Sequence, residues 1–222
     1  MSRVITIDDK IYNVCPDFTL VAIECNVKNS RHDEELWKEI DIFTDNFIKT
    51  HKIEEIKHIP TIKATRKAYK DLGKEPNRYR PSAEALCRRL LKGQDLYKIS
   101  TLVDLINLIS LKFGYSIGGF DADKIVGDIK LSVGRAEEPF NAIGRGPMNV
   151  ENLPLYRDFI GGIGNPTSDE ERTKITDSTT NLLMLINSYY GYDGIEDTIT
   201  YSTNMLKKYA SAKDINVRVI RK

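Results

Sequence analysis

The sequence predicts an α+β fold, because strand-like and helix-like segments follow one another along it in an irregular order. Stretches rich in β-branched and alternating apolar residues indicate strands near both ends and through the second half of the chain. Apolar residues three and four apart indicate helices, mostly in the first half. A doubly wound parallel sheet would need a regular strand–helix–strand alternation, which these segments do not follow.

The strand and helix segments can be placed from these patterns and from glycine and proline breakers. We predict strands within residues 4–7, 18–27, 128–133, 153–160, 181–190 and 216–220. We predict helices at about residues 31–49, 62–72, 82–93, 101–113 and 195–212. The paired glycines are interpreted mainly as turn residues, and they are Gly118, Gly119, Gly161, Gly162 and Gly164.

The helix predicted from Thr101 to Phe113 is apolar on nearly all sides and stops at Gly114, so we expect it to be central and buried. Thr101 and Asp104 have the spacing of a capping box. Asp104, Asn107 and Ser110 form its polar stripe, and buried polar groups need partners. The stripe either satisfies the backbone of a neighbouring loop or lines a pocket in which Asn107 holds a ligand.

Charge is distributed unevenly, although the net charge of the chain is only +1. Residues 61–98 contain eleven Lys and Arg but only four Asp and Glu. On the helix at 62–72, the cations lie opposite the apolar side, and they are Lys63, Arg66, Lys67 and Lys70. Such a block indicates a local phosphate contact. The alternative is an ordinary solvated helix face.

The segment RYRPSAEALCRRLLKG offers a second group of cations around a helix start. Arg80 precedes the helix, and Arg88 and Arg89 lie about two turns into it. Arginine side chains and free amides at a helix N-terminus both suit phosphate. The alternative is that Arg80 pairs with Glu84 and orders the loop.

Several functional classes are disfavoured by what the sequence lacks. Three cysteines without short spacings favour neither a disulfide framework nor a zinc site, and no signal peptide or membrane span is recognisable. The sequence contains no nucleotide-binding glycine loop, HExxH motif or GxSxG elbow. We therefore expect a soluble cytoplasmic protein with no metal, no cofactor and no membrane partner.

The blocks between residues 69 and 190 resemble the B3/B4 editing and tRNA-binding domain of phenylalanyl-tRNA synthetase β subunits, in its free-standing branch. The resemblance lies in YKDLGKEPNRYRPSAEALCRRLLKG, VDLINLISLKFG, IGGFDADKI, EEPFNAIG, LYRD and TKITDSTTNLLMLI. It implies an α+β fold around a mixed sheet, with residues 61–222 as the core of a single domain and residues 1–60 as an N-terminal extension. It also implies a pocket that faces the acceptor end of tRNA.

The resemblance further implies roles for individual residues. Asn107 corresponds to the pocket asparagine, and Gly161 and Gly162 correspond to the glycine pair that borders the pocket. We place Asp104, Ser110 and Gly118 in the same amino-acid pocket. The acceptor-stem contacts are assigned to Lys67, Lys70, Arg80, Arg88 and Arg89. The sequence departs from the family at two places, since Gly118 replaces a pocket histidine and Leu185 replaces a pocket glutamate.

Our leading hypothesis is a tRNA-binding protein that hydrolyses mischarged aminoacyl-tRNA in trans. One alternative is an RNA-binding module without catalysis. Another is a small-molecule hydrolase or amino-acid-binding protein that has lost RNA binding. DNA is not an expected partner, and ligase activity is not expected from this chain alone because nothing in it cradles a triphosphate.

Overall fold

The computed structural model describes residues 3–222. Its helices are α1 (Asp9–Val14), α2 (Glu34–Thr50), α3 (Pro60–Asp71), α4 (Ser82–Leu91), α5 (Thr101–Phe113) and α6 (Ile195–Ala210). Its strands are β1 (Ile5–Ile7), β2 (Thr19–Asn26), β3 (Ser116–Asp121), β4 (Ile129–Val133), β5 (Asn141–Ala142), β6 (Gly146–Pro147), β7 (Pro154–Arg157), β8 (Gly162–Asn165), β9 (Ser168–Asp169), β10 (Asn181–Ser188) and β11 (Lys213–Ile220). None of the helices in this range is long and apolar enough to span a membrane.

Two sheets form the framework. The first has the strand order β1-β4-β7-β8-β9, with β1 parallel to β4 and the other pairs antiparallel. The second has the order β11-β2-β10-β3 and is antiparallel throughout. A short ribbon of β5 and β6 lies outside both. The predicted α+β class and mixed sheet are confirmed, and the second, antiparallel sheet is an addition to the prediction.

The four-stranded sheet has a hydrophobic core on each of its faces. Successive side chains of β10 point to opposite faces of the sheet, so they contribute in turn to one core and then to the other. Met184 and Ile186 belong to the core shared with α2, α4, α5 and α6. Leu183 and Leu185 belong to the core shared with the mixed sheet. Strand β10 is therefore covered on both faces.

The N-terminal segment, predicted as an extension of the core, is built into both sheets. Strand β2 lies between β10 and β11, and its pairing with β10 runs over eight residues from Thr19 to Asn26. Strand β1 adds to the edge of the mixed sheet beside β4. The segment thus supplies a central strand to the fold.

Helix α5 has the predicted bounds, and it ends where Gly114 adopts a left-handed conformation with φ of 72°. Its start differs from the prediction. Ser100 is the N-cap residue, and Oδ1 of Asp104 accepts a hydrogen bond from the Ile99 amide at 3.0 Å. The acidic side chain thus reaches back past the cap, so Thr101 and Asp104 do not form a capping box.

The paired glycines lie mostly in strands, which corrects the prediction of turns. Gly118 and Gly119 belong to β3, and Gly162 and Gly164 belong to β8. The reason is close packing, because a Cβ atom added to Gly119 would lie 2.6 Å from Cδ1 of Ile106 on α5. These glycines let neighbouring elements approach the strands more closely than a side chain would allow.

Candidate functional site

A positively charged groove of about 770 Å³ opens beside α3. Five of its side chains are Lys or Arg and one is acidic. The lining residues are Lys57, His58, Pro60, Lys63, Ala64, Arg66, Lys67, Lys70, Asp71 and Tyr190. This excess of cations makes the groove a candidate site for an anionic ligand.

The row of cations follows from the helical register of α3. Lys63, Lys67 and Lys70 are exposed and stand four and three residues apart, so they share one side of the helix. The opposite side is buried through Ile62, Thr65, Ala68 and Tyr69. The predicted separation of apolar and basic sides is confirmed for the three lysines. Arg66 differs, because it is half-buried.

Most of the groove lysines are free to meet a ligand. Nζ of Lys67 lies 2.5 Å from Oδ2 of Asp71, which partly neutralises it. Lys57, Lys63 and Lys70 are exposed and form no ion pair with residues 3–222. Their ammonium groups are therefore solvated in the structure and available for exchange against phosphate contacts.

An exposed aromatic ring completes the groove. Tyr190 follows the end of β10, and 51% of its surface is exposed. The same residue lines an adjoining groove of about 470 Å³ that contains Arg221 and Lys222. Tyr190, Lys57 and His58 were not among the residues predicted from sequence patterns to contact a ligand. The available signal was the tyrosine-rich segment SYYGYD, which overlaps the end of the strand predicted within residues 181–190.

Two of the predicted RNA-contacting arginines surround a buried carboxylate instead of lining the groove. Glu84 is only 1% exposed, and its Oε1 lies 2.7 Å from Nε of Arg88 and 3.8 Å from Nε of Arg80. Its Oε2 lies 2.7 Å from Nη1 of Arg66. We call these four residues the Glu84 cluster. The arrangement matches the alternative in which Arg80 pairs with Glu84 and orders its loop.

The fifth predicted RNA contact, Arg89, lies elsewhere on α4. Its Nε donates a hydrogen bond to the carbonyl of Asp95 at 2.5 Å. Its guanidinium group lies over the ring of Tyr97, 3.8 Å from the ring centre. The predicted cations thus divide into Lys67 and Lys70 in the groove, Arg80 and Arg88 in the Glu84 cluster, and Arg89 beside Tyr97.

The polar stripe on α5 is largely occupied by structural hydrogen bonds. Asp104 accepts from Nε1 of Trp37 at 2.8 Å as well as from the Ile99 amide, and burial raises the pKa of its carboxyl group. Ser110 donates to the carbonyl of Tyr115 at 2.7 Å. Asn107 is half-buried, and its carboxamide bonds to no residue in the described part of the chain. Only Asn107 of the three therefore retains free polar groups.

Gly118 lies on the opposite face of β3 from α5, since its neighbour Gly119 faces Ile106. Leu185 of β10 is its direct cross-strand partner. The two positions where the sequence departs from the synthetase pattern are therefore adjacent. Their face belongs to the apolar core between the sheets, so Gly118 does not share a pocket with the occupied groups of Asp104 and Ser110.

The predicted glycine pair after β7 is divided between two environments. A Cβ atom on Gly161 would meet nothing within 4 Å, so this glycine faces open space. A Cβ atom on Gly162 would lie 2.9 Å from the ring of Phe140. Only Gly161 thus borders an accessible region.

The carboxyl group of Asp169, which was not among the predicted site residues, lies beside Gly118. Oδ2 of Asp169 accepts a hydrogen bond from the Gly119 amide at 3.1 Å. Cβ atoms added to Gly118 and Gly164 would lie 3.2 and 2.6 Å from Oδ1 of Asp169. The residue as a whole is half-buried, whereas its carboxyl group is enclosed enough that burial raises its pKa to about 7. No sequence motif distinguishes Asp169 from the neighbouring acids.

Because the pKa of Asp169 is raised, we predict that the stability of the folded protein depends on pH. A pKa raised on folding means that the folded state holds the proton more tightly, so stability falls as pH rises from 3.8 towards about 7. Asp169→Asn cannot ionise and keeps an acceptor for the Gly119 amide. We expect its free energy of unfolding to exceed that of the wild type by about 2–4 kcal/mol above pH 7 and by much less near pH 4. Urea denaturation of both proteins across this range measures it, and parallel pH profiles would contradict it.

Comparisons of the sequence and of the structure with known proteins identify similar proteins. The family model described as the B3/4 domain matches residues 64–210. The phenylalanine–tRNA ligase β subunit of Psychrobacter arcticus is 30% identical over 90 residues, which is 37% of this chain and 11% of that protein. A crystal structure of an N-terminal fragment of the phenylalanyl-tRNA synthetase β subunit from Pyrococcus horikoshii aligns with a TM-score of 0.52 and 17% identity. That alignment covers 97% of this chain and 50% of the fragment.

Proposed function

Because the chain belongs to the B3/4 domain family, we propose that it binds the acceptor end of tRNA and hydrolyses mischarged aminoacyl-tRNA in trans. The observation that carries the proposal is the groove beside α3, in which Lys63, Lys67 and Lys70 face an exposed Tyr190. The chain spans about a tenth of the curated ligase subunit that it matches. Editing is therefore proposed for the domain alone, without ligation.

The groove has the two features that single-stranded RNA requires. Lysine side chains along one wall can replace the counterions of successive phosphates. An exposed aromatic ring can stack on a base whatever its identity. The 3′ end of tRNA is a short single strand, so it suits a groove in which Tyr190 stands between Lys63 and Lys70 on one side and Arg221 on the other.

Hydrolysis is proposed because a synthetase has difficulty distinguishing amino acids of similar shape. The hydrophobic amino-acid pocket of a synthetase cannot firmly reject an amino acid that differs from the correct one only by an added hydroxyl group. A second site therefore has to hydrolyse the wrong product. We assign the free carboxamide of Asn107 to the amino acid, and we assign Gly161, which faces open space, to the entry. The attacking water would be positioned by polar groups and by the terminal ribose hydroxyl of the tRNA.

A non-catalytic RNA-binding protein is the second candidate, and a specific observation favours it. The positions that carry a histidine and a glutamate in the related synthetase carry Gly118 and Leu185 here, and they face the apolar core between the sheets. In that case the groove would bind RNA and the ester bond would remain intact.

A panel of tRNAs charged with correct and incorrect amino acids tests the proposal directly. We expect binding that weakens steeply with salt, and faster ester hydrolysis for at least one mischarged tRNA than for the same tRNA correctly charged. Salt-dependent binding with no hydrolysis of any ester would replace the proposal by the second candidate. Salt-independent binding of free amino acids, without tRNA binding, would overturn both.

A further inference from the structure

We propose that β11 pairs with β11 of a second copy of this chain, so that the two antiparallel sheets join into one across a two-fold axis. The proposal does not depend on RNA binding. It rests on the free edge of the sheet, on the uncovered apolar residues of that edge and on the self-complementary order in which they occur.

Strand β11 is the outer strand of the antiparallel sheet, and it is long for an exposed edge. It runs for eight residues from Lys213 to Ile220 and pairs with β2 on one side. No strand of residues 3–222 lies on its other side. The backbone amides and carbonyls that point to that side therefore have no strand partner, and such an edge is a template for another strand.

The helices that cover one face of this sheet leave β11 open to solvent. Val217 and Val219 are 36% and 38% exposed. Their cross-strand partners on β2 are Ile23 and Val21, which are fully buried in the core shared with the helices. Ile215 lies on the same face and is half-buried against that core. The buried face of the sheet thus continues into a row of three apolar side chains that solvent reaches.

The features that usually protect an exposed edge, a bulge and charged side chains, leave this part of β11 accessible. The bulge lies between Lys213 and Asn216, so the strand is regular beyond it. Arg218 is the charged residue of the regular part. Its Nη2 lies 3.2 Å from Oε1 of Glu24, and its Nη1 donates a hydrogen bond to the carbonyl of Arg3. The charge is therefore held on the face opposite the exposed valines.

The residue order selects one register for the pairing. Opposite residues of antiparallel strands share a face, so a two-fold axis perpendicular to the sheet has to pass through a residue. With the axis at Val217, this residue faces itself and Ile215 faces Val219 of the second copy, so all three apolar side chains meet apolar partners. An axis one residue later would place Arg218 opposite itself. An axis one residue earlier would place Val219 opposite Lys213.

Sedimentation velocity of the full chain between about 5 and 500 µM measures the association. One pair of strands buries less than the roughly 1,600 Å² of a standard interface, so we expect a dimer that dissociates in the micromolar range. Val217→Lys sets two ammonium groups opposite each other and should raise the dissociation constant about tenfold or more. Val126→Lys, at an exposed valine outside β11, is the matched control and should leave it unchanged.

Cysteine variants test the register. In Val217→Cys the two thiols lie directly opposite each other, with Cα atoms about 4.5–5.5 Å apart, and a disulfide can span this distance. In Val219→Cys the two thiols lie four residues apart along the strands, about 13 Å, which a disulfide cannot span. Mild oxidation should therefore link the first variant and not the second. The wild type, whose three cysteines are buried or half-buried, is the control.

Each contrary result overturns the proposal. A wild type that stays monomeric up to about 500 µM has no such interface. A dimer that persists unchanged in Val217→Lys is held by another surface. A disulfide in Val219→Cys, with none in Val217→Cys, would show that the strands do not pair about Val217. None of these results bears on the proposed RNA binding, because the variants change no residue of the groove beside α3.

Discussion

Replacing Lys63 and Lys70 together by glutamine is expected to weaken tRNA binding about tenfold or more at 0.15 M salt. Both ammonium groups are exposed on the same side of α3 and form no ion pair within the described range. Each can therefore release one counterion when it meets a phosphate. The slope of log affinity against log salt concentration should fall by about 2, one unit for each lost contact.

Fluorescence anisotropy with labelled tRNA over a series of salt concentrations measures both quantities. The matched control replaces Lys207 and Lys213, two exposed lysines outside the groove, and should leave the slope unchanged. Tyr190→Ala should weaken binding by about 1–3 kcal/mol without changing the slope, because stacking carries no charge. Equal slopes for the groove variant and its control would show that RNA, if bound, lies elsewhere.

Replacing Glu84 by glutamine is expected to lower the free energy of unfolding by about 3 kcal/mol. The carboxylate is 1% exposed and is the acidic member of the Glu84 cluster, with Arg66 and Arg88 both at 2.7 Å. A neutral amide would leave two partly buried guanidinium groups without a counter-charge. Nε of Arg80, which is already buried without a hydrogen-bond partner, would have no carboxylate nearby either.

Urea denaturation at neutral pH gives this loss of stability, with Glu54→Gln as a control at an exposed position. The control should change the free energy of unfolding by less than about 0.5 kcal/mol. A loss below about 1 kcal/mol for Glu84→Gln would mean that water solvates the arginine side chains well enough to replace the carboxylate. The cluster would then be better described as a solvated cationic surface.

Local sequence patterns predicted every α-helix of the described residues except α1, and they predicted strands β1, β2, β4, β7, β10 and β11. The bounds of α5 follow from an uninterrupted apolar run and from Gly114, whose left-handed conformation ends the helix. The basic side of α3 follows from spacing alone, because residues three and four apart share a face of any helix. These features depend on neighbours within a few residues, so the sequence by itself was sufficient for them and for the α+β class.

Tertiary structure alone decided which distant residues meet. Gly118 pairs with Leu185, three arginines converge on Glu84, and Oδ2 of Asp169 reaches the Gly119 amide across 50 positions. No local periodicity records such contacts, since they depend on strand order and sheet packing. The polar stripe on α5 shows the same limit. Its spacing predicted polar groups on one face, but only the packed neighbours determined that Asp104 and Ser110 are occupied and Asn107 is free.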